Sequence, residues 1–482
     1  MSDPRLHLEQ SYRHALRVCD PGVLVASHLP QERPALILAV GKAAMSMVAA
    51  AQRAFPTVPW LATPPHSGDD RPPAVTASLV NDGLAPGSHP LPGPDSVIAA
   101  GRALGLASRL VTDDLLLVLI SGGGSALWCA PWGPLSTAAD GAARPSPRGV
   151  DLAVKRAVTS ALQRGGADIH ELNAVRRHLS RIKGGRLSEA TPARVLTLAL
   201  SDVPGDDLSD IASGPTVPDP STFAEALAVI ERYDIDAADV VAHLEAGSAG
   251  HLPETPKPGS AADARSSAAV IGSSGILLEA AASYWRGHGY EVVELAASLQ
   301  GEAAELAASH AALVAALTGN AALLAPLLAL QPDRRLATEL TERLSDWRRR
   351  GASAPPLALL SGGEATVTVR GSGRGGRNLE FAGWLLAHLR ELSSAAGTAS
   401  DRGIWALSAG SDGVDGTSAA AGAFITPDSL ARVAELAVDL EAYLEDNDSD
   451  ALFSQLGDLF APGPTGNNLN DYRAILVPAV DT

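Results

Sequence analysis

The chain has 482 residues, 46% of them apolar and 19% charged, which is globular composition with enough length for two or three full-sized cores. A formal net charge of −17 argues against nucleic acid as a partner, because phosphate backbones are met by basic surfaces. Local clusters of arginine and lysine therefore carry more weight, since they run against the bulk charge.

The first residues, MSDPRLHLEQSYRHAL, lack an apolar core and do not read as a signal peptide. Residues 4–28 read as an amphipathic helix followed by a Pro-Gly break. The apolar run 35–40 (ALILAV) ends in Gly41-Lys42-Ala43-Ala44 and a helical stretch. A lysine at such a strand–helix turn reaches phosphate oxygens as a point charge, although the upstream glycine and following hydroxyl of a Walker A loop are absent. An ordinary solvated lysine is the other reading. Residues 81–96 form a loop whose His89 is either a substrate contact or a structural residue. Residues 115–120 (LLLVLI) read as a central parallel strand. The turn Ser121-Gly122-Gly123-Gly124-Ser125 that follows places hydroxyls and glycines where open α/β sheets bind ligands.

A polar loop is expected at 134–149 and a helix from 150 to 162. The most basic stretch is 173–186, NAVRRHLSRIKGGR, which is either a solvated helix face or part of a site. Residues 194–201 read as a strand ending at Asp202, whose acidic loop suits Mg²⁺ or a proton. Residues 251–265, within a Gly/Pro/Ser/Ala-rich run from 245, read as a linker between domains 1–250 and 266–482. Residues 268–272 would open the second domain, with Gly272-Ser273-Ser274-Gly275 at the next turn. The apolar stretch 311–330 is broken by Gly319, Asn320 and Pro326, so it reads as two buried helices and not a membrane span.

Residues 357–360 read as a buried strand, followed by a Gly turn, an alternating strand at 366–369, a Gly/Arg loop and a helix. Phe381, Trp384, Leu385 and Leu389 share one face of that helix. The loop sets Gly371, Gly373, Gly375 and Gly376 among Arg370, Arg374 and Arg377. Backbone N–H groups there, at a helix N-terminus, suit a phosphate-rich ligand. Two readings compete: a dinucleotide fingerprint, Gly371-x-Gly373-x-x-Gly376, and a plain surface turn. The fingerprint wants a buried parallel strand before it and an acid about 20 residues later, but the preceding strand alternates as a half-exposed one does, and the nearest acid at a plausible strand end, Asp412, lies too far along. A strand at 405–407 ends in a Gly-rich loop with Asp412 and Asp415, and residues 464–471 precede a last strand at 474–477. Cys19 and Cys129 give neither metal spacing nor a disulfide framework, which suits a reducing cytoplasm.

Six stretches together resemble the glycerate 2-kinase family, whose C-terminal part is the MOFRL domain and whose relatives also bear the name hydroxypyruvate reductase. They are VGKAAMSM from Val40, NAVRRHLSRIKGGRL from Asn173, SDVPGDDLSDIASGPTVPDPSTF from Ser201, SGGEATVTVRGSGRGGRNLEFA from Ser361, GSDGVDG from Gly410 and GPTGNNLND from Gly463. The resemblance covers nearly the whole chain. It implies two α/β/α domains, a larger Rossmann-like one first and a smaller MOFRL-type one at about 355–478, with a cleft between them. It implies transfer of the ATP γ-phosphoryl group to D-glycerate, giving 2-phosphoglycerate, with Mg²⁺. By motif, Lys42, Arg377, Asp412 and Asn470 resemble the core of the site, and Asn173, Arg176, Lys183 and Asp202 its supporting members. Asp202 or Asp412 would hold Mg²⁺ or take the hydroxyl proton. Leu379 stands where relatives usually have Gln and Asn467 where Thr is more usual, and 311–350 is a longer helical region than the family leads one to expect. The alternatives are an NAD(P)H-dependent hydroxypyruvate reductase and a binding protein for small phosphorylated acids. Oligomeric state stays open, a homo-oligomer included.

Overall fold

The computed structural model describes residues 3–66, 83–133, 136–137, 143–144, 149–319, 321–395 and 403–479. They form two compact units, Pro21–Ile271 and Met1–Asp20 with Gly272–Thr482. The expected loops at 81–96 and 134–149 lie partly outside the described residues, as does Asn320.

In the unit Pro21–Ile271 the strands are β1 (Leu36–Val40), β2 (Trp60–Thr63), β3 (Leu115–Ile120), β4 (Arg194–Leu200) and β5 (Ser266–Gly272). Every residue of β1 and β3 is buried, as their unbroken apolar runs require. The sheet order is β2-β1-β3-β4-β5, with β1 parallel to β2 and β3, and β3 parallel to β4. Val40 lies opposite Ile120, and Ile120 opposite Ala199. The turns after β1, β3 and β4 therefore leave the sheet at one edge, side by side. The order reverses between β1 and β3, the place where open α/β sheets take their ligands. Helix Pro94–Ala107 covers this sheet with Ala99, Ala103 and Ala107. A second core joins Val158, Leu162, Val175, Phe223, Ile230 and Leu244 from four neighbouring helices.

The expected domain limits need correction at both ends. Residues 268–272 belong to β5, at the edge of the first sheet, and do not open the second domain. The expected linker is stitched to the first unit: Thr255 is buried and donates to Asp219 Oδ2 at 3.0 Å, and His178 Nε2 lies 2.9 Å from Glu254 Oε1. Its Pro/Gly content reads as a linker, but its polar side chains have buried partners. The expected N-terminal helix is Pro4–Val18, and a second helix, Pro21–His28, begins at the expected Pro-Gly break. The first belongs with the C-terminal strands, where Tyr12 donates to Gly410 O at 2.8 Å and Tyr472 to Ser11 Oγ at 3.0 Å. Pro21 starts the second helix, a position proline tolerates because the N–H there has no helical partner.

The other unit carries β6 (Glu291–Glu302), β7 (Leu357–Thr366), β8 (Trp405–Gly410), β9 (Gly422–Ile425), β10 (Leu459–Phe460) and β11 (Asp471–Val477). The order is β10-β9-β8-β11-β7-β6, with β6 and β7 parallel and the other pairs antiparallel. β7 runs straight through Ser361-Gly362-Gly363, where a turn was expected. Glycine is needed there because β6, bulged between Glu294 and Leu299, passes so close that a Cβ on Gly363 (φ 114°) would lie 2.2 Å from the Leu299 backbone. Residues 366–369 are not a separate strand; Thr366 and Thr368 instead donate to Glu302 Oε1 at 3.1 and 3.0 Å. Helices Ala303–Thr318, Leu324–Leu330 and Arg334–Arg350 bury Leu313, Leu327, Leu344 and Trp347 in the core, so 311–330 does hold two packed helices. Among the described residues no helix is long and apolar enough to cross a membrane.

Candidate functional site

At the carboxyl edge of the first sheet, the turns after β1 and β3 abut. Gly41 (φ 120°) permits this, since a Cβ would lie 2.2 Å from Ser121 Oγ. Lys42 N donates to Gly122 O at 2.9 Å, and Ala43 N to Ser121 Oγ at 3.0 Å. The buried Ser121 hydroxyl thus holds the two turns together. The Lys42 side chain is exposed and makes no ion pair among the described residues. Gly123 (φ 84°) leaves room for His89, whose Cδ2 would lie 2.9 Å from an added Cβ. Burial, and then the nearby Lys42 charge, lower the His89 pKa. Register places Asp202, half-buried just beyond β4, on this same edge.

Behind the edge the basic stretch is buried, against the solvated-face reading. Lys183 is 1% exposed, and its Nζ donates to Ser125 O and Oγ, both at 2.9 Å, and to Ala212 O at 3.2 Å. Ser213 donates to Asn173 Oδ1 at 2.9 Å, and Asn173 Nδ2 to Asp210 Oδ1 at 2.9 Å. These bonds brace a turn in which Ala212 (φ 53°) and Ser213 (φ 61°) adopt left-handed backbone, a strained state for side chains of this kind. Lys155 Nζ donates to Arg176 O at 3.2 Å and Leu179 O at 3.1 Å. Burial lowers the pKa of Lys155 to about 8 and of Arg176 to about 10. Lys183 is also held well below its usual value, by burial first and then by the charges of Lys155, Arg176 and Arg177. Arg177 differs, being paired with Asp210 at 2.7 Å and Asp219 at 3.1 Å.

In the other unit, Arg377 opens helix Arg377–Ala395. Its Nε donates to Asp471 Oδ1 at 2.7 Å and its Nη1 to Glu364 Oε1 at 2.5 Å. Burial alone would lower its pKa, but Asp471 and then Glu364 raise it overall. Asp471 is fully buried and also accepts from Arg473 Nη2 at 2.5 Å and Asn378 Nδ2 at 2.9 Å. Asp412 is half-buried; its Oδ1 accepts from Val414 N at 3.3 Å and its carbonyl from Thr465 N at 3.0 Å. Asn470 (φ 64°) accepts from Ser411 N through its carbonyl at 2.9 Å, which joins the loops carrying Asp412 and Asn470.

The Gly/Arg loop is where the sequence-based expectation fails. The N–H groups of residues 370–375 do not face outward for a phosphate. Arg370 N and Gly371 N donate to Asn447 Oδ1 at 2.7 and 3.1 Å, Ser372 N to Asp446 Oδ1 at 2.9 Å, and Arg374 N to Asp448 Oδ1 at 3.0 Å. Gly375 N donates to Thr417 Oγ1 at 3.2 Å. The helix N-terminus is capped by Asp415, which accepts from Asn378 N at 3.1 Å and Leu379 N at 2.8 Å. The glycines let segment 446–449 and Asp415 pass closely: a Cβ on Gly373 would lie 2.4 Å from Asp448 Cβ, and one on Gly376 2.5 Å from Asp415 Cγ. The dinucleotide reading loses its N–H groups by the same bonds. Leu379 is fully buried in the apolar core. Asn467 donates from Nδ2 to Cys19 O at 2.7 Å.

The sequence reading passed over Asp471, Glu364, Asn378 and Lys155. Asp471 and Glu364 do sit inside stretches that were singled out, beside Asn470 and Gly363. Among the described residues no three His, Cys, Asp or Glu side chains gather as a metal cage.

Residues 7–245 match the family described as "Domain of unknown function (DUF4147)", and residues 357–471 match the MOFRL family. An Agrobacterium vitis protein with the provisional name hydroxypyruvate reductase is 37% identical over 98% of this chain and 94% of its own. Glycerate 2-kinase of Pyrococcus horikoshii is 29% identical over 96% of this chain and 92% of its own. The crystal structure of glycerate kinase from Thermotoga maritima covers 97% of this chain and 98% of its own, at 30% identity and a TM-score of 0.76. With both family matches in this order along one chain, and relatives of that identity over almost its full length, the chain belongs to the glycerate 2-kinase family.

Proposed function

We propose that this chain is a kinase that transfers the γ-phosphoryl group of ATP to D-glycerate, giving 2-phosphoglycerate with Mg²⁺. The observation that carries the reading is the carboxyl edge of the first sheet, where Lys42 lies at the reversal between β1 and β3 with the buried cations Lys183 and Lys155 and the half-buried Arg176 behind it. The two lysines contact carbonyls and a hydroxyl and no carboxylate, so their positive field is left for an anion. Phosphoryl transfer asks a protein mainly for positioning and charge neutralisation. Lys42 would lie on the transferring group, and Ser121, Gly122, Gly123 and Ser125 would shape the turn that receives it. Asn173 and Lys183 would keep Ser125 in place. Arg377 would hold the glycerate carboxylate or the phosphate oxygens, supported by Gly375, Gly376 and Asn470 in the surrounding loops. Asp202 and Asp412 offer half-buried carboxylates of the type Mg²⁺ takes, since that ion usually binds one or two carboxylates along with substrate phosphates. The ion would neutralise charge on the phosphates. Two free, buried cysteines suit a reducing cytoplasm.

The test is a coupled assay for ADP release with ATP, Mg²⁺ and D-glycerate, run beside NADH with hydroxypyruvate. Glycerate-dependent ADP formation with only background NADH oxidation is the expected result. NADH oxidation without ADP release would overturn the reading.

A further inference from the structure

Arg377 is held by two carboxylates of unequal kind. Asp471 is fully buried, and Arg473, Asn378 and the Ala365 N–H (3.2 Å) also bind it, so it has no freedom to leave. Glu364 stands at the solvent rim with 47% of its side chain exposed, and Arg377 is the only cation it pairs with among the described residues. The two occupy different parts of the guanidinium: Asp471 takes Nε, Glu364 takes Nη1, and Nη2 has no partner among the described residues.

We infer that Asp471 is a positioning residue that fixes the Nε side of Arg377, while Glu364 is a resident counter-ion that an incoming anion displaces from the Nη1–Nη2 end. The inference rests on the kinase reading for the identity of that anion, a carboxylate or a phosphoryl group. Once Glu364 swings away, Nη1 and Nη2 form a planar fork that suits two oxygens of either group. Asp471 stays in place and sets the plane of the fork. Glu364 thereby competes with substrate, and it keeps the arginine neutralised when no ligand is present.

The decisive variant is Glu364→Gln, an exposed substitution with no core to disturb. Steady-state kinetics with ATP and D-glycerate varied separately should show the KM of the ligand that meets the fork falling about two- to fivefold, the factor an exposed ion pair is worth. A drop for glycerate assigns the fork to the carboxylate, and a drop for ATP assigns it to phosphate. Both KM values staying within their errors, or kcat collapsing, overturns the inference; a collapse would make Glu364 a base or metal ligand. A second readout does not depend on turnover. Modification of Arg377 by phenylglyoxal, followed by peptide mass spectrometry, should be faster in Glu364→Gln than in the unmodified sequence. Equal rates count against displacement even if the chain proves not to be a kinase. For the fixed half, Asp471→Asn should lower kcat at least tenfold with KM little changed; a folded Asp471→Asn protein with normal kcat refutes the positioning role, and if it does not fold, Glu364→Gln decides.

Discussion

Arg377→Lys is the substitution on which the proposed clamp stands or falls. It keeps the positive charge and removes the plane. In the structure the two carboxylates approach different nitrogens, Asp471 at Nε (2.7 Å) and Glu364 at Nη1 (2.5 Å). A single ammonium cannot reproduce both directions at once, nor offer a fork to a ligand. Losing one charge-assisted contact to a transferring group or its immediate partner costs roughly 3–4 kcal/mol of transition-state stabilisation, about two to three powers of ten in rate. Arg377→Lys should fall almost as far as Arg377→Ala. Stability should respond less, because Asp471 keeps Arg473 and Asn378 as partners. The loss there is one hydrogen bond to a charged group, about 1.5–3 kcal/mol, for Arg377→Ala. Turnover would be followed as ADP release at saturating ATP and glycerate, with melting by circular dichroism in parallel. Arg370→Ala is the control, since its side chain is exposed and its charge acts only on the carboxylate of Glu302, while its backbone N–H, which the substitution keeps, bonds Asn447. If Arg377→Lys turns over within threefold of the parent, the guanidinium is no clamp and the loop is merely a turn.

The remaining predictions concern stability. In helix Pro94–Ala107 the added methyl of Gly101→Ala or Gly105→Ala meets open space, so each should raise stability by about 0.5–1 kcal/mol, read from denaturant midpoints. Gly363→Ala should cost about 3 kcal/mol or more, because the residue sits at φ 114° against the Leu299 backbone; a midpoint equal to the parent's would show that β6 moves aside. Burial raises the Glu380 carboxyl to about 7, with the Asp415 charge adding to the rise, and its Oε1 has no hydrogen-bond partner among the described residues. The folded protein then binds a proton there more tightly than the unfolded chain, so this group's contribution is greatest below the unfolded pKa and is lost as pH rises through about 7. Glu380→Gln should remove up to about 3 kcal/mol of that pH dependence between pH 5 and 8, and identical slopes for parent and variant would contradict it.

How far the sequence could be read depended on whether a residue's partner was near it in the chain. The runs 35–40 and 115–120 declare buried parallel strands because every residue in them is apolar, and a strand covered on both faces has no other composition to choose. The turns that follow them were legible for the same reason. The Gly/Arg loop misled because its partners lie some 70 residues on, at Asp446, Asn447 and Asp448, and a glycine that makes room for another chain segment looks the same as one that makes room for phosphate. Pro21 and β5 misled over domain limits, since neither local pattern says which sheet a strand joins or which unit a helix packs on. Asp471 was hidden by its neighbour. It reads as the end of a polar loop, and only pairing with Arg377 and Arg473 marks it as the buried centre of a network.

Charge accounting then separates the two units. In a chain of net charge −17, the first unit keeps Lys155, Arg176 and Lys183 close enough to repel one another and bonds Lys155 and Lys183 to neutral oxygens. Burying ammonium groups this way costs several kcal/mol each unless an anion arrives, which is a poor way to build a core and a good way to prepare an anion site. The second unit does the reverse, giving Arg377 two carboxylates and so leaving little net field. On the kinase reading, the first arrangement suits the triphosphate, whose charge is large and needs no exact direction. The second suits a group chosen by shape, because a cation already neutralised attracts little from a distance and discriminates by the geometry of its fork.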